Sequence, residues 1–169
     1  HDKRKIVKVI AEVPHKVLFS GSYTILAGAP ALALAVGPRM TLKVTDDGEG
    51  VWPKQNPYAQ AVKSVCLDWL REHKPELVSD ALKWGAFRSY VPMPIEGWGD
   101  GSSACFTTAL MLSQMAAFEI PLSARELFSL ARTAHRVGQG NKGSGIDIAA
   151  CTYGEVVRVI NSGRRDPST

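Results

Sequence analysis

Hydrophobic and polar positions change period several times along the chain, and the changes mark out its elements. Residues 6–13 (IVKVIAEV) and 40–45 (MTLKVT) are β-branched and partly alternating, as strands with one buried face are, and 31–36 (ALALAV) reads as a more fully buried strand. Pro14 and Gly21 punctuate this opening. At Asn56 the pattern becomes helical. Asn56 is a suitable cap, Pro57 suits the first helical position, and an amphipathic helix follows to about His73 with Tyr58, Val62, Val65 and Trp69 on its apolar side. A loop is expected around Pro75, then a strand over 84–91 (WGAFRSYV) leading into Pro92 and Pro94. Residues 104–118 (ACFTTALMLSQMAAF), rich in Ala, Leu and Met, predict a buried helix. Ser123 with Glu126 three residues later forms a capping box for a helix over about 124–137, 155–160 (EVVRVI) reads as a strand, and GRRDPST at the end reads as a linker or a cut end. The pattern alone gives a mixed α and β class.

Composition narrows the picture. A chain of 169 residues, 45% hydrophobic, can bury a core and is most simply one domain. No stretch reaches membrane-spanning length, and the start HDKRK lacks the apolar core of a signal peptide, which points to the cytoplasm. Cys66, Cys105 and Cys151 have no metal-type spacing and sit in apolar or helical settings, so buried free thiols are expected and no zinc site. The formal charge of +4 suits an anionic ligand, but the basic residues are scattered and no nucleic-acid reading motif occurs, so no nucleic-acid partner is expected.

Three stretches carry candidate chemistry. GWGDGSS, residues 97–103, places three glycines and two serines directly before the buried helix. The first turn of a helix has unpartnered N–H groups and partial positive charge, so bare backbone there lets a phosphate come close. Ser102 and Ser103 can cap the helix or reach a phosphate or its Mg²⁺; a flexible loop with a capping serine fits the same letters. In VPHKVLFSGSYTIL, residues 13–26, Lys16 adjoins an apolar strand and precedes a Ser-Gly-Ser-Tyr turn, so it is either a surface lysine or one projecting into a cleft. In AHRVGQGNKGSGIDIAACTYGE, residues 134–155, glycines surround Lys142 and Ser144, and Asp147 follows where the apolar run resumes, as a helix cap or an active carboxylate.

Taken together, the three stretches resemble the GHMP kinase family, named for galactose, homoserine, mevalonate and phosphomevalonate. PHKVLFSGSYTIL resembles its first motif, GWGDGSSA its phosphate loop, and GSGIDIAACTYG the segment carrying its acidic active-site residue. The AH, QG, GSG, aspartate and YG of residues 134–154, with the GSY turn at Gly21 to Tyr23, are most similar to the phosphomevalonate kinases within it; mevalonate kinases usually carry an acidic residue at the middle of that turn. The sequence also departs from the pattern. His15 stands where glycine usually precedes the lysine, Asp100 and Gly101 are extra in the loop, and family members run to roughly twice this length, with a later glycine-rich motif that is absent here.

The resemblance implies an α+β fold, a mixed or antiparallel sheet packed with helices, with residues 1–169 as the N-terminal, ATP-binding domain and the C-terminal domain absent. It implies an ATP-dependent, Mg²⁺-dependent small-molecule kinase whose acceptor is 5-phosphomevalonate. The alternatives are mevalonate or another GHMP acceptor, or a half-domain that binds a nucleotide or a partner without turnover. By the same resemblance Gly97, Gly99, Gly101, Ser102, Ser103 and Ala104 hold the triphosphate, with the Ser103 hydroxyl near Mg²⁺. Lys16 and Asp147 are the catalytic pair, and Tyr23, His135, Gln139, Lys142 and Ser144 contact the phosphorylated substrate. A lone half exposes apolar surface that a C-terminal half or a second copy covers.

Overall fold

The computed structural model describes residues 8–20, 31–45, 55–83, 87–90, 102–154 and 156–159. Strands β1 (Lys8–Ser20) and β2 (Ala31–Thr45) come first, then helix α1 (Pro57–His73), a single 3-10 turn (Pro75–Leu77) and helix α2 (Val78–Lys83). Strand β3 (Phe87–Tyr90), helices α3 (Ser102–Ala117), α4 (Ala124–Gly138) and α5 (Ile146–Tyr153) and strand β4 (Val156–Val159) follow. The fold is α+β.

All the strand pairings are antiparallel, and β2 organises them. β1 runs along its length, while Ala31–Leu34 pair with β4 and Thr41–Val44 pair with β3. One strand thus serves two short partners in succession. The pattern predicts separate strands at 31–36 and 40–45, yet β2 continues through Gly37 and Pro38. The register explains this: Pro14 pairs with Arg39 and the next residue, His15, with Val36, so Gly37 and Pro38 are absorbed as a bulge. Pro14 likewise does not end β1, because a bulge tolerates a residue without an N–H.

The sheet buries Ala11, Val13, Met40 and Leu42 against the helices. At the centre lies α3, with Ala104, Cys105, Ala109, Leu110, Met111 and Met115 buried on several sides, as expected of a helix apolar nearly all round. The Asn56 side chain accepts the N–H groups of Tyr58 and Ala59 at 2.9 and 3.1 Å, and α1 starts where the cap predicts. Its buried stripe is wider than the expected apolar side: Ala59, Val62, Cys66 and Leu70 point inward, with Tyr58, Val65 and Trp69 only half-buried beside them. The loop expected at Pro75 is instead a 3-10 turn and α2, held by Leu77, Val78 and Ala81 packing on Leu67 and Leu70. The capping box of α4 is present, Ser123 Oγ accepting from the Glu126 N–H and the Glu126 carboxylate accepting from the Ser123 N–H. The Ser123 hydroxyl also donates to Glu126 Oε2 at 2.7 Å, and this bond first, then that from the Ser123 N–H, holds the Glu126 carboxyl below its usual range. Among the described residues no helix is long and apolar enough to cross a membrane.

Candidate active site

The ends of β1, α3, α4 and α5 converge on four polar side chains. Lys16 lies on β1 just beyond the bulge and is buried to 9% exposure, yet it is charged, so it needs a partner. Asp147, in the first turn of α5, supplies it: Nζ is 2.8 Å from Oδ1. The carboxylate side chain remains 31% exposed, leaving one side of the pair open to a ligand. Lys16 is therefore a cleft lysine and not a surface one.

Opposite them, Ser103 in the first turn of α3 shares a 3.1 Å hydrogen bond with His135 Nε2 in the last turn of α4, its direction following the imidazole tautomer. His135 is 4% exposed and stacks on Tyr58 with ring centroids 5.3 Å apart. Burial lowers its pKa, Asp147 raises it in part and Lys16 lowers it further, so the ring is neutral at neutral pH. His135 therefore lies within the field of both members of the ion pair.

Two glycines make this convergence possible. Gly138 lets α1 approach α4, since a Cβ there lies 2.5 Å from Tyr58 Cδ1, the ring that stacks on His135. Gly145 caps α5 at φ 82°, the left-handed region that glycine enters freely, and its ideal Cβ falls 2.8 Å from Arg132 Nε. Gly145→Ala is expected to lower stability by about 1–2 kcal/mol through the left-handed penalty alone. A urea titration checks this, and an unchanged midpoint refutes the strained turn.

The other sequence-predicted residues are less central. Gln139 caps α4, and its side chain folds over Gly143, where a Cβ meets Oε1 at 2.6 Å. Ser144 Oγ accepts the Ile146 N–H at 3.4 Å, at the start of α5, and Lys142 is exposed. Ala104 is fully buried, so it offers this site only its backbone. Ser102 opens α3, whose first turn contains no acidic residue, a start compatible with an anion. Gly97, Gly99, Gly101, Asp100 and Tyr23 lie outside the described residues.

Sequence reasoning missed Tyr58 as a wall of the site, because an aromatic on an amphipathic helix reads as core. It also missed the sulfur pair behind it. Cys105 and Cys151 are free thiols with Sγ atoms 3.2 Å apart, and Cys105 donates to the Pro14 carbonyl at 3.3 Å. The hydrogen bond with Cys105, then burial, raises the Cys151 pKa; burial pushes Cys66 up to about 12. All three thiols are buried, as expected.

A family model described as GHMP kinases N terminal domain matches residues 63–155, more than half of the chain. The chain belongs to the GHMP kinase family. Among curated proteins, a mevalonate kinase of Aeropyrum pernix is 29% identical over 87% of this chain and 49% of its own length. Among solved structures, the Methanococcus jannaschii mevalonate kinase aligns with a TM-score of 0.68 at 22% identity, over 92% of this chain and 54% of that one. The Streptococcus pneumoniae phosphomevalonate kinase aligns with the same TM-score, 0.68, at 20% identity, over 89% of this chain and 47% of that one. The likeness to these structures is one of fold. This GHMP chain spans about half the length of the relatives it matches.

Proposed function

We propose that this chain is the nucleotide-binding half of a small-molecule kinase that transfers the γ-phosphoryl of Mg-ATP to 5-phosphomevalonate, giving 5-diphosphomevalonate. The observation that carries the reading is the Lys16–Asp147 ion pair, open on the carboxylate side and linked through His135, which feels both charges, to Ser103 at the start of α3. Phosphoryl transfer asks little covalent chemistry of a protein; it asks for positioning and for positive charge where negative charge collects.

The parts fit that demand. The amides of Ser102, Ser103 and Ala104, with Gly97, Gly99 and Gly101, are assigned to the triphosphate; a helix start free of acid suits it. Bound Mg²⁺ screens the phosphate charge, and Ser103 Oγ is the hydroxyl assigned to it, which requires Ser103 to exchange its bond to His135. Lys16 neutralises the transferring group and the acceptor. Asp147, fixed by Lys16 and by the Gly145 turn, orients the acceptor. Tyr23, His135, Gln139, Lys142 and Ser144 are assigned to acceptor contacts.

The acceptor is chosen on the 134–154 segment and the GSY turn. The Aeropyrum relative favours a second reading, mevalonate. Chemistry separates the two, because an alcohol acceptor must lose a proton whereas a phosphate monoester, with a second pKa of about 6, is already largely dianionic at neutral pH. A half-domain without turnover is the reading from another class, favoured by Asp100 in the loop and by the half length. A C-terminal half or a second copy is the partner proposed to complete the cleft, and the cytoplasm the proposed location.

The test is ADP release by the purified protein with Mg-ATP and phosphomevalonate, mevalonate or no acceptor. Turnover dependent on phosphomevalonate supports the proposal. Turnover with mevalonate alone transfers it to the second reading, and none with either acceptor leaves a binding half-domain.

A further inference from the structure

The outer face of α4 carries charge of one sign. Arg125, Ser129, Arg132, Thr133 and Arg136 recur at helical spacing on the side away from the buried Leu127, Ala131 and Ala134, and with Phe128 they line an open groove of about 270 Å³. All five are exposed. None of the three guanidinium groups has an ion pair or a hydrogen bond among the described residues. The one acidic residue of the helix, Glu126, is engaged in the capping box.

Helix stability does not account for this arrangement. A solvated helix face ordinarily mixes signs, like charges four residues apart such as Arg132 and Arg136 repel, and Arg125 stands in the first turn, where the helix dipole disfavours a cation. The groove is also shaped. Thr133 turns its hydroxyl back to the Ser129 carbonyl at 2.9 Å, so two short side chains form a low floor between the arginines. At one edge Phe128 packs on Tyr153 with ring centroids 5.7 Å apart, and Tyr153 remains 48% exposed. Arg132 is held in place, its stem lying against Gly145, where an added Cβ falls 2.9 Å from Cδ.

An occupant must carry several negative charges in a row. Arg125, Arg132 and Arg136 span three helical turns, about 16 Å, more than a single phosphate or carboxylate bridges. A second copy of this chain, at a formal net charge of +4, is a poor match. The aromatic edge and the width of one helix suit another helix. We propose that this face docks an acidic amphipathic helix of a partner protein, with carboxylates spaced to meet the three arginines and an apolar side chain on the Phe128–Tyr153 edge. Because Arg132 rests on the Gly145 turn, two residues before Asp147, a docked partner bears on the mounting of that carboxylate. The surface stands or falls independently of the kinase reading.

The probe is a fluorescein-labelled, alanine-rich helical peptide of about 20 residues with glutamates at i, i+4 and i+11, the arginine spacing in antiparallel order, and a leucine at i+8. Fluorescence anisotropy with the purified protein at low salt is expected to saturate below about 1 mM, and NMR of the labelled protein to show amide shifts at Ser129 and Thr133. Arg125→Gln and Arg136→Gln are each expected to weaken binding about twofold to fivefold without lowering the urea midpoint, and the two combined with Arg132→Gln to weaken it at least about 20-fold. No saturation by about 1 mM, or unchanged affinity in the triple variant, overturns the surface. Equal binding of a peptide of the same composition with its glutamates spread round the helix also overturns it, since charge alone then suffices. Tighter binding of an oligothymidylate of about 20 nucleotides through the same arginines overturns the protein assignment in favour of nucleic acid, and a wild-type dimer that the triple variant lacks gives the face to a second copy instead.

Discussion

Lys16→Met is expected to lower kcat by about 10²–10³-fold, the usual effect of removing one group that stabilises developing charge, while the affinity for Mg-ATP changes by less than about threefold. Methionine keeps the apolar stem that lies in the β1 wall and deletes only the ammonium. The asymmetry follows from the geometry: Lys16 is held by Asp147 on α5, on the acceptor side, and the helix start assigned to the nucleotide belongs to α3. Steady-state kinetics together with nucleotide binding by calorimetry read the two effects separately. An equal loss in both refutes the assignment of Lys16 to the reacting phosphoryl.

Asp147→Asn is expected to retain at least about one-hundredth of the wild-type rate with phosphomevalonate, since a dianionic acceptor needs orientation more than deprotonation. With mevalonate the same variant is expected to lose most of its activity. The variant also leaves Lys16 buried without a counter-charge, so stability should fall by about 1–3 kcal/mol, less than for a fully enclosed pair because Asp147 is partly open to water. Single-turnover rates at a temperature where the variant is folded give the answer. A loss beyond about 10⁴-fold with phosphomevalonate makes Asp147 an obligatory base and turns the reading toward an alcohol acceptor.

How much of this was written in the chain depends on the range of the interaction. Asn56, Ser123 and Glu126 act within one helical turn, and the helices they cap begin where the letters predict. The pairing of Lys16 with Asp147 spans most of the chain; no local period encodes it, and the family motifs alone put both residues in one site. Other features were hidden for physical reasons. The continuity of β2 through Gly37 and Pro38 depends on a bulge set by the facing strand, and α2 depends on Leu67 and Leu70 of another helix. Tyr58 is a core-like letter whose role comes from the absence of a side chain at Gly138.

The contact between Lys16 and Asp147 also bears on release. An ammonium already held at 2.8 Å by a carboxylate is not idle charge waiting for a guest. Any anion that reaches Lys16 gains only the difference between two ion pairs, and as it departs Asp147 reclaims the lysine. The resting protein therefore competes with whatever it holds there. Such a site favours brief occupancy and rapid exchange over tight retention.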